Sequence, residues 1–228
     1  MPVLLSAHPF EQATFGLWQI AEPEDFFLDR LPLARDEERD LAPLKGIRRA
    51  EWLAGRYLLH LLTGENERLP LAKTAFAKPF FLDKPDLRCS LSHSHGIVGA
   101  LLATVDCGCD VQVFVDKMPK LAPKFINSEE FAFVNTFPAK EQFELFHAFW
   151  TAKESLYKAY GLRELDFRKH MRLEHFLWPA FPAETTGWIA KDDYRQPFSL
   201  LLEKHTLPDE QHLMTAICYQ PAGAVENP

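Results

Sequence analysis

Excess positive charge is absent from this chain: 25 Lys and Arg stand against 32 Asp and Glu, a net charge of −7. No overall basic field draws it to nucleic acid or an anionic membrane, so any anionic ligand must be held by a local cluster of Lys and Arg. Cysteine is scarce. Cys89, Cys107, Cys109 and Cys218 have no spacing that suggests a disulfide framework, and a chain this long needs none. Long apolar runs are missing too, since the longest uncharged one, residues 97–105, is too short to span a bilayer. The opening MPVLLSAHPFEQ has neither a basic start nor a long apolar core, so no signal peptide is expected. These absences lead to the expectation of a soluble cytoplasmic protein with no nucleic-acid or membrane partner.

What is present is enough apolar material for a sizeable core. The 228 residues are 47% hydrophobic and include 19 Phe, a globular composition that fits one large domain or two smaller ones. The stretch 149–161, FWTAKESLYKAYG, reads as a helix. Phe149, Ala152, Leu156 and Ala159/Tyr160 recur at three- and four-residue steps as a buried face, and Gly161 stops it. Trp150, Glu154 and Lys158 stack on another face, flanked by Lys153 and Tyr157. A Glu four residues before a Lys is commonly only an exposed helix pair, worth about 0.3–0.5 kcal/mol. Here a Trp and two Lys surround one carboxylate, and other stretches of the chain carry complementary chemistry.

Residues 15–20 are a candidate strand and residues 34–41 a charged helix. A stronger helix is expected over 45–62, with Ile47, Ala50, Ala54, Leu58 and Leu61 as its apolar stripe. Arg49 and Arg56 lie seven apart, about 10 Å along one face. That pair is either an exposed basic face or a double anion contact suited to forked binding of phosphate. Gly55 would admit a closely approaching backbone. After a loop, Lys78-Pro79 is a fixed, extended dipeptide. Leu87, Cys89 and Leu91 alternate with Arg88, Ser90 and Ser92 as a half-buried strand. The strand ends in Ser92-His93-Ser94-His95-Gly96, either an ordinary polar turn or one that binds an anion.

Residues 97–103 read as a strand buried on both faces, and 109–114 as another in which Asp110 and Gln112 share a side. An Asp in such an apolar strand needs a partner, either a hydrogen-bonded structural one or a hard cation such as Mg²⁺. Residues 116–124, with Lys117, Lys120 and Lys124 among prolines, read as an exposed basic loop. Residues 198–203 and 214–219 are closing strands, with turns at Gly187 and Pro208, and the tail 222–228 is expected to be loose. A boundary near Val105 divides the chain into 1–105 and 106–228, two loosely parallel α+β halves without an exact repeat.

The pieces WTAKESLYK (150–158), GCDVQ (108–112), LSHS (91–94), AKP (77–79) and LAGR (53–56), in this order and spacing, resemble the Sfp-type 4′-phosphopantetheinyl transferases. The resemblance spans roughly residues 45–161. It implies transfer of the phosphopantetheine arm of coenzyme A to a serine of an apo acyl or peptidyl carrier protein, as in fatty acid, polyketide or nonribosomal peptide synthesis. Adenosine 3′,5′-bisphosphate would be released. It further implies two similar α+β halves about a pseudo-twofold axis in a monomer, with coenzyme A in the cleft between them. Asp110 and Glu154 are then the Mg²⁺ (or Mn²⁺) carboxylates. Lys158 lies on the pyrophosphate, and Lys153 is a second basic contact. Ser92 and His93 contact coenzyme A phosphate, Lys78-Pro79 lines the adenine and phosphate pocket, and Arg56 and Arg49 contact the 3′-phosphate end. Glu130 stands where the family has a proposed general base. The chain departs from the family pattern at Gln112, where many members carry a second acid, so the third metal ligand would be an amide oxygen or a water.

The carrier domains of that family are acidic, as this chain is, so docking is expected on a local patch of Lys117, Lys120, Lys124, Met118 and Phe125. Three other readings compete: a structural zinc site at His93, His95, Cys107 and Cys109, a non-catalytic coenzyme A or carrier-binding protein, and a Mg²⁺-dependent phosphohydrolase.

Overall fold

The computed structural model describes residues 3–162 and 164–221, so the tail 222–228 lies outside the described residues. The protein is α+β, and its chain divides into two compact units, Met1–Asp106 and Cys107–Pro228. Among the described residues no helix is long and apolar enough to cross a membrane.

The first unit runs β1 (Val3–Ala7), β2 (Ala13–Gln19), α1 (Glu24–Leu28), α2 (Arg35–Leu41), α3 (Gly46–Thr63), β3 (Leu71–Lys73), β4 (Pro79–Phe81), β5 (Arg88–Ser94) and β6 (Ile97–Ala103). Strands β1, β2, β6 and β5 lie side by side in that order as an antiparallel sheet, and β3 and β4 form a separate hairpin. Helix α3 packs on β6 and β2. Its inner face holds Leu53, Ala54, Leu58 and Leu59 against Trp18, Val98 and Ala100, each large side chain contributing about 1.5–3 kcal/mol by burial. The apolar stripe expected for this helix is rotated. Ile47 and Leu61, both expected inside, are 54% and 44% exposed, whereas Glu51 and Arg56 are buried. Polar residues enter the inner face because partners satisfy them there, a pattern that apolar periodicity cannot register.

In β5 the serines do not face solvent. Ser90, Ser92 and Ser94 are buried together with Cys89, so the expected half-buried alternation gives way to a strand covered on most of both sides. The turn beyond it places His95 and Gly96 at positive φ, 51° and 80°.

The second unit runs β7 (Cys107–Val113), α4 (Met118–Leu121), a 3₁₀ turn at Ala122–Lys124, α5 (Ser128–Val134), α6 (Ala139–Tyr160), β8 (Met171–Leu173), β9 (Ala183–Lys191), β10 (Tyr194–Thr206) and β11 (His212–Tyr219). The sheet order is β7-β11-β10-β9-β8 and every pairing is antiparallel. Helix α6, 22 residues and about 33 Å long, packs across β7 and β11. Phe149, Ala152, Leu156 and Ala159 are all buried on it, and Gly161 closes it in the left-handed conformation at φ 66°, as the sequence pattern requires.

Three local expectations are corrected. Gly187 is not a turn. It pairs with Phe198 inside the β9–β10 ladder, where a Cβ would meet Leu200 Cδ1 at 2.6 Å and Leu156 Cδ1 at 2.8 Å. Residues 116–124 are not a plain loop, since they wind into α4 and the 3₁₀ turn and bury Met118 and Phe125 at 2% and 1% exposure. The close approach expected at Gly55 does not occur, because a Cβ there meets only Leu91 Cδ2 at 3.8 Å. It occurs instead at Gly108, where a Cβ would lie 2.0 Å from the Ser155 carbonyl oxygen and 2.8 Å from the Ala159 nitrogen. Strand β7 and helix α6 touch backbone to backbone at that point.

Candidate functional site

The contact at Gly108 sets the chemistry two residues further along β7. Asp110, 6% exposed, is carried to the same part of α6 that presents Glu154 and Lys158. Lys158 Nζ donates to Asp110 Oδ1 at 2.7 Å and to the Cys109 carbonyl at 3.1 Å. Burial is the largest single influence and opposes the ammonium charge, but Asp110, Cys109 and Glu154 together outweigh it and hold Lys158 above the ordinary lysine range. Glu154 is pushed the other way for a carboxyl, up to about 7, first by burial and then by the negative charge of Asp110, with Lys158 only partly offsetting them. Two carboxylates near one ammonium, which pairs directly with Asp110, are short of positive charge. Gln112, two residues beyond Asp110 on the same side of β7, turns its Nε2 to the Val113 carbonyl at 2.7 Å. Glu154 and Lys158 are therefore not an isolated exposed pair, because the β7 carboxylate joins them.

Lys153 and Glu130 form a second, drier arrangement. Lys153 is fully buried, and its Nζ reaches Glu130 Oε2 at 2.6 Å and the carbonyls of Phe125, Phe167 and Met171 at 2.8, 3.0 and 3.2 Å. Burial lowers its pKa, and Glu130 is the main opposing influence. Glu130 is 1% exposed. Its Oε2 also accepts the Asn127 N–H at 2.9 Å, and Oε1 accepts the Leu173 N–H at 3.1 Å. With Asn127 it makes a reciprocal cap at the start of α5. The pair ties α5, α6 and the approach to β8 together.

Further along α6 toward its start, His147 is completely buried. It receives the Val115 N–H on Nε2 at 2.9 Å, and its Nδ1 lies 2.9 Å from the Phe143 carbonyl. This fixes the tautomer with the proton on Nδ1, and burial lowers the pKa to about 4. The contact anchors the chain just beyond β7.

In the first unit a cavity of about 270 Å³ is lined by Asp40, Arg48, Glu51, Trp52, Arg56, Lys73, Ser92 and His93, among others. Three of the residues named from the sequence, Arg56, Ser92 and His93, meet here. Arg56 sits over Trp52, with Cζ 3.4 Å from the ring centroid. Its buried Nε has no hydrogen-bond partner and lies 3.5 Å from Glu37 Oε1. Glu37 is shared with Arg68, which also donates to Glu37 Oε2 at 2.7 Å. Burial lowers the Arg56 pKa to about 10, against the attraction of Glu37.

Arg49 is absent from the cavity. Its Nε donates to Glu24 at 2.7 Å and its Nη1 to the Leu41 carbonyl at 2.8 Å. The neighbouring Arg48 takes the place, with Nη1 2.9 Å from His93 Nε2. The spacing 48, 52, 56 was a legible i, i+4 row, but it competed with the equally regular 49, 56. Lys78 and Pro79 line a different cavity of about 330 Å³, together with Phe80, Leu87 and Arg88. Sequence reasoning missed Arg48, Glu51, Trp52 and Lys73. No group of three or more His, Cys, Asp or Glu able to hold a metal exists among the described residues, so the four-ligand zinc cluster is not assembled among them, and all four cysteines are buried thiols.

Comparison with known proteins bears on the second unit above all. The model of the 4′-phosphopantetheinyl transferase superfamily matches residues 106–216, the stretch that holds Asp110, Glu130, Lys153, Glu154 and Lys158. The chain is 29% identical over 111 residues to the 4′-phosphopantetheinyl transferase gsp of Aneurinibacillus migulanus, covering 49% of this chain and 46% of that protein. It is 34% identical over 130 residues to the 4′-phosphopantetheinyl transferase AcpT of Escherichia coli (strain K12), covering 54% and 63%. It is 32% identical over 123 residues to AcpT of Salmonella typhimurium, covering 51% and 62%. The chain thus spans about half to three-fifths of the length of the curated relatives it matches. The resemblance read from the sequence stands: residues 106–216 carry the pattern of the 4′-phosphopantetheinyl transferase superfamily.

Proposed function

We propose that this protein transfers the 4′-phosphopantetheine arm of coenzyme A to a serine hydroxyl of an apo carrier protein and releases adenosine 3′,5′-bisphosphate. The observation that carries this reading is the cluster of Asp110, Glu154 and Lys158, formed where β7 meets α6 inside the matched stretch. Attack of an alcohol on a pyrophosphate needs charge neutralisation, in-line positioning and a route for the proton.

The donor set fits a hard cation. Asp110 and Glu154 supply carboxylate oxygens and Gln112 an amide oxygen, and the mutual repulsion that raises Glu154 is what a divalent ion relieves. Mg²⁺, with Mn²⁺ as a substitute, would neutralise the pyrophosphate oxygens there. Lys158, whose charge Asp110 keeps in place, is assigned to the phosphate that departs. Lys153 is assigned an indirect role, since its four acceptors lie within the fold. The bonds Glu130 makes support a role in holding Lys153 and the start of α5. To take the serine proton it would have to surrender one of them.

Arg48, Arg56, Ser92 and His93 are assigned to coenzyme A phosphate, and Lys117, Lys120 and Lys124, all exposed, to the acidic carrier. Met118 and Phe125 drop out of that patch because they are buried. The reading of two similar α+β halves is supported by the like content of the two units, one long helix on an antiparallel sheet in each. The test is intact-mass spectrometry of a panel of apo carrier domains incubated with the protein, coenzyme A and Mg²⁺, with Glu154→Gln in parallel. Gain of one phosphopantetheine arm with wild type and none with the variant supports the assignment. Coenzyme A binding without mass gain on any carrier moves the non-catalytic binding reading to first place, and coenzyme A cleavage without an acceptor favours a hydrolase.

A further inference from the structure

Lys153 does more than hold Glu130. Its Nζ lies 2.8 Å from the Phe125 carbonyl, 3.0 Å from that of Phe167 and 3.2 Å from that of Met171, so segments distant in the chain meet at one nitrogen. Trp150, on the same helix, holds two of these segments by its ring, with Phe125 at 5.1 Å and Phe167 at 5.8 Å between centroids. Glu154 stands one turn beyond Trp150 on the same stripe of α6. What the two segments present to solvent is therefore gathered beside the Asp110, Glu154 and Lys158 cluster.

They present cations. Lys124 precedes Phe125, Arg168 and Lys169 follow Phe167, and all three are exposed. Asp166 builds the turn that carries the last two, its Oδ1 accepting the Arg168 N–H at 2.9 Å and the Lys169 N–H at 3.1 Å. After burial and Glu130, the charges that act on Lys153 are those of Asp166 and Arg168, which keeps this turn close to it. Lys158, Lys191 and Lys204 of the same unit are each paired with a carboxylate. Among the described residues, neither Lys124 nor Arg168 forms an ion pair. A chain of net charge −7 thus leaves cations from two segments uncompensated at one place. Interior bonds hold these like charges together, and an acidic partner relieves their repulsion.

The kind of partner follows from what surrounds them. β8 is an edge strand, but strand addition is closed off, because Lys153 takes the Met171 carbonyl and Glu130 Oε1 takes the Leu173 N–H at 3.1 Å. A nucleic-acid backbone or a lipid surface, negative throughout, would also meet Glu129 and Asp166, close neighbours of these cations in the chain. A folded protein with separated carboxylates can reach the cations and avoid the acids.

We propose that Lys124, Arg168 and Lys169 form one docking surface for the acidic face of a folded partner protein. The proposal rests on the transferase reading for its partner, the apo carrier protein. It adds the turn after α6 to a surface that the sequence placed on residues 116–125 alone.

The experiment is steady-state transfer from coenzyme A to the apo carrier domain that gains mass most readily, with variants of the full chain. Arg168→Glu with Lys169→Glu reverses the new part of the surface, and Arg168→Gln with Lys169→Gln neutralises it. Lys140→Glu is the control, an exposed lysine 13 residues before Lys153 on α6, about 20 Å away along the axis. The reversed variant should raise the KM for carrier about tenfold and the neutralised one about threefold. For both, kcat and the KM for coenzyme A should stay within about twofold, and Lys140→Glu should change none of the three. Going from about 50 to about 300 mM salt should raise the carrier KM of wild type several-fold and that of the reversed variant much less. An unchanged carrier KM in the reversed variant, or an equal rise with Lys140→Glu, overturns the surface and leaves the transferase reading standing. Transfer by wild type to no carrier overturns both.

Discussion

Gly108→Ala is the substitution that most directly tests how the site is held. The added Cβ would sit 2.0 Å from the Ser155 oxygen, 2.8 Å from the Ala159 nitrogen and 3.0 Å from the Ser155 carbon. A carbon–oxygen contact settles near 3.3 Å or beyond (about that value), so strand and helix must part by roughly 1 Å. Because the obstacles are backbone atoms of a helix whose next residues, Leu156 and Ala159, are buried, no side chain can rotate out of the way. Overpacking that side chains absorb costs about 1–3 kcal/mol, and here the cost should reach about 3 kcal/mol or more. Two other glycines calibrate the scale. At Gly187 the obstacles are the ends of Leu200 and Leu156, so Gly187→Ala should cost about 1–2 kcal/mol. At Gly55, mid-helix with only Leu91 at 3.8 Å, Ala should be neutral or stabilise by up to about 1 kcal/mol through helix propensity. Urea denaturation of the three variants and wild type, followed by far-UV circular dichroism, gives the order. A Gly108→Ala protein within about 1 kcal/mol of wild type would refute the backbone contact, and with it the account of how Asp110 is brought to Glu154 and Lys158.

Other perturbations follow from the same geometry. Lys153→Met should destabilise the protein by about 3–5 kcal/mol because it strands Glu130 as a buried, unpaired charge, and Lys153→Met with Glu130→Gln should recover part of the loss in the same denaturation assay. His147, neutral in the fold with a pKa near 4 against an ordinary 6.5, binds its proton more weakly folded than unfolded. Its contribution is full above pH 6.5 and is lost as the pH falls toward 4, about 3 kcal/mol in all, and His147→Gln should flatten that part of the stability–pH curve. Glu154, raised from 4.5 to about 7, has the opposite sign: its contribution is full below pH 4.5 and is lost as the pH rises through 7. In metal-free protein Glu154→Gln should therefore remove a stability decline over pH 4.5–7, and added Mg²⁺ should stabilise wild type at pH 7.5 far more than at pH 5. Exchanging Lys117, Lys120 and Lys124 for Glu should raise the KM for carrier and leave that for coenzyme A nearly unchanged. Unchanged carrier kinetics would remove the patch from the docking surface.

What the sequence made legible is set by which forces leave a periodic trace. The core face of α6 was readable because Phe149, Ala152, Leu156 and Ala159 are apolar and buried for the same reason. The inner face of α3 was not, because Glu51 and Arg56 are buried by pairing with His93, Gly96 and Glu37. Those partners come from β5, the turn after it and α2, and no window along one helix contains them. The same limit explains Arg48 against Arg49: adjacent residues on a helix point about 100° apart (roughly, from 3.6 residues per turn). Only the position of α1 and α2, which claim Arg49 through Glu24 and Leu41, decides which arginine faces the cavity. Lys153 and Glu130 were given site roles only through the family resemblance, as a second basic contact and a general base, and a sequence offers no measure of the burial that pairs them with each other inside the fold. Gly108 did leave a signal, since a glycine inside an apolar strand marks close backbone approach, and it stands two residues before the Asp it positions. The residues that carry charge in this protein are thus legible as a list, while their division between holding the fold and meeting a ligand is decided by contacts between elements distant in the chain.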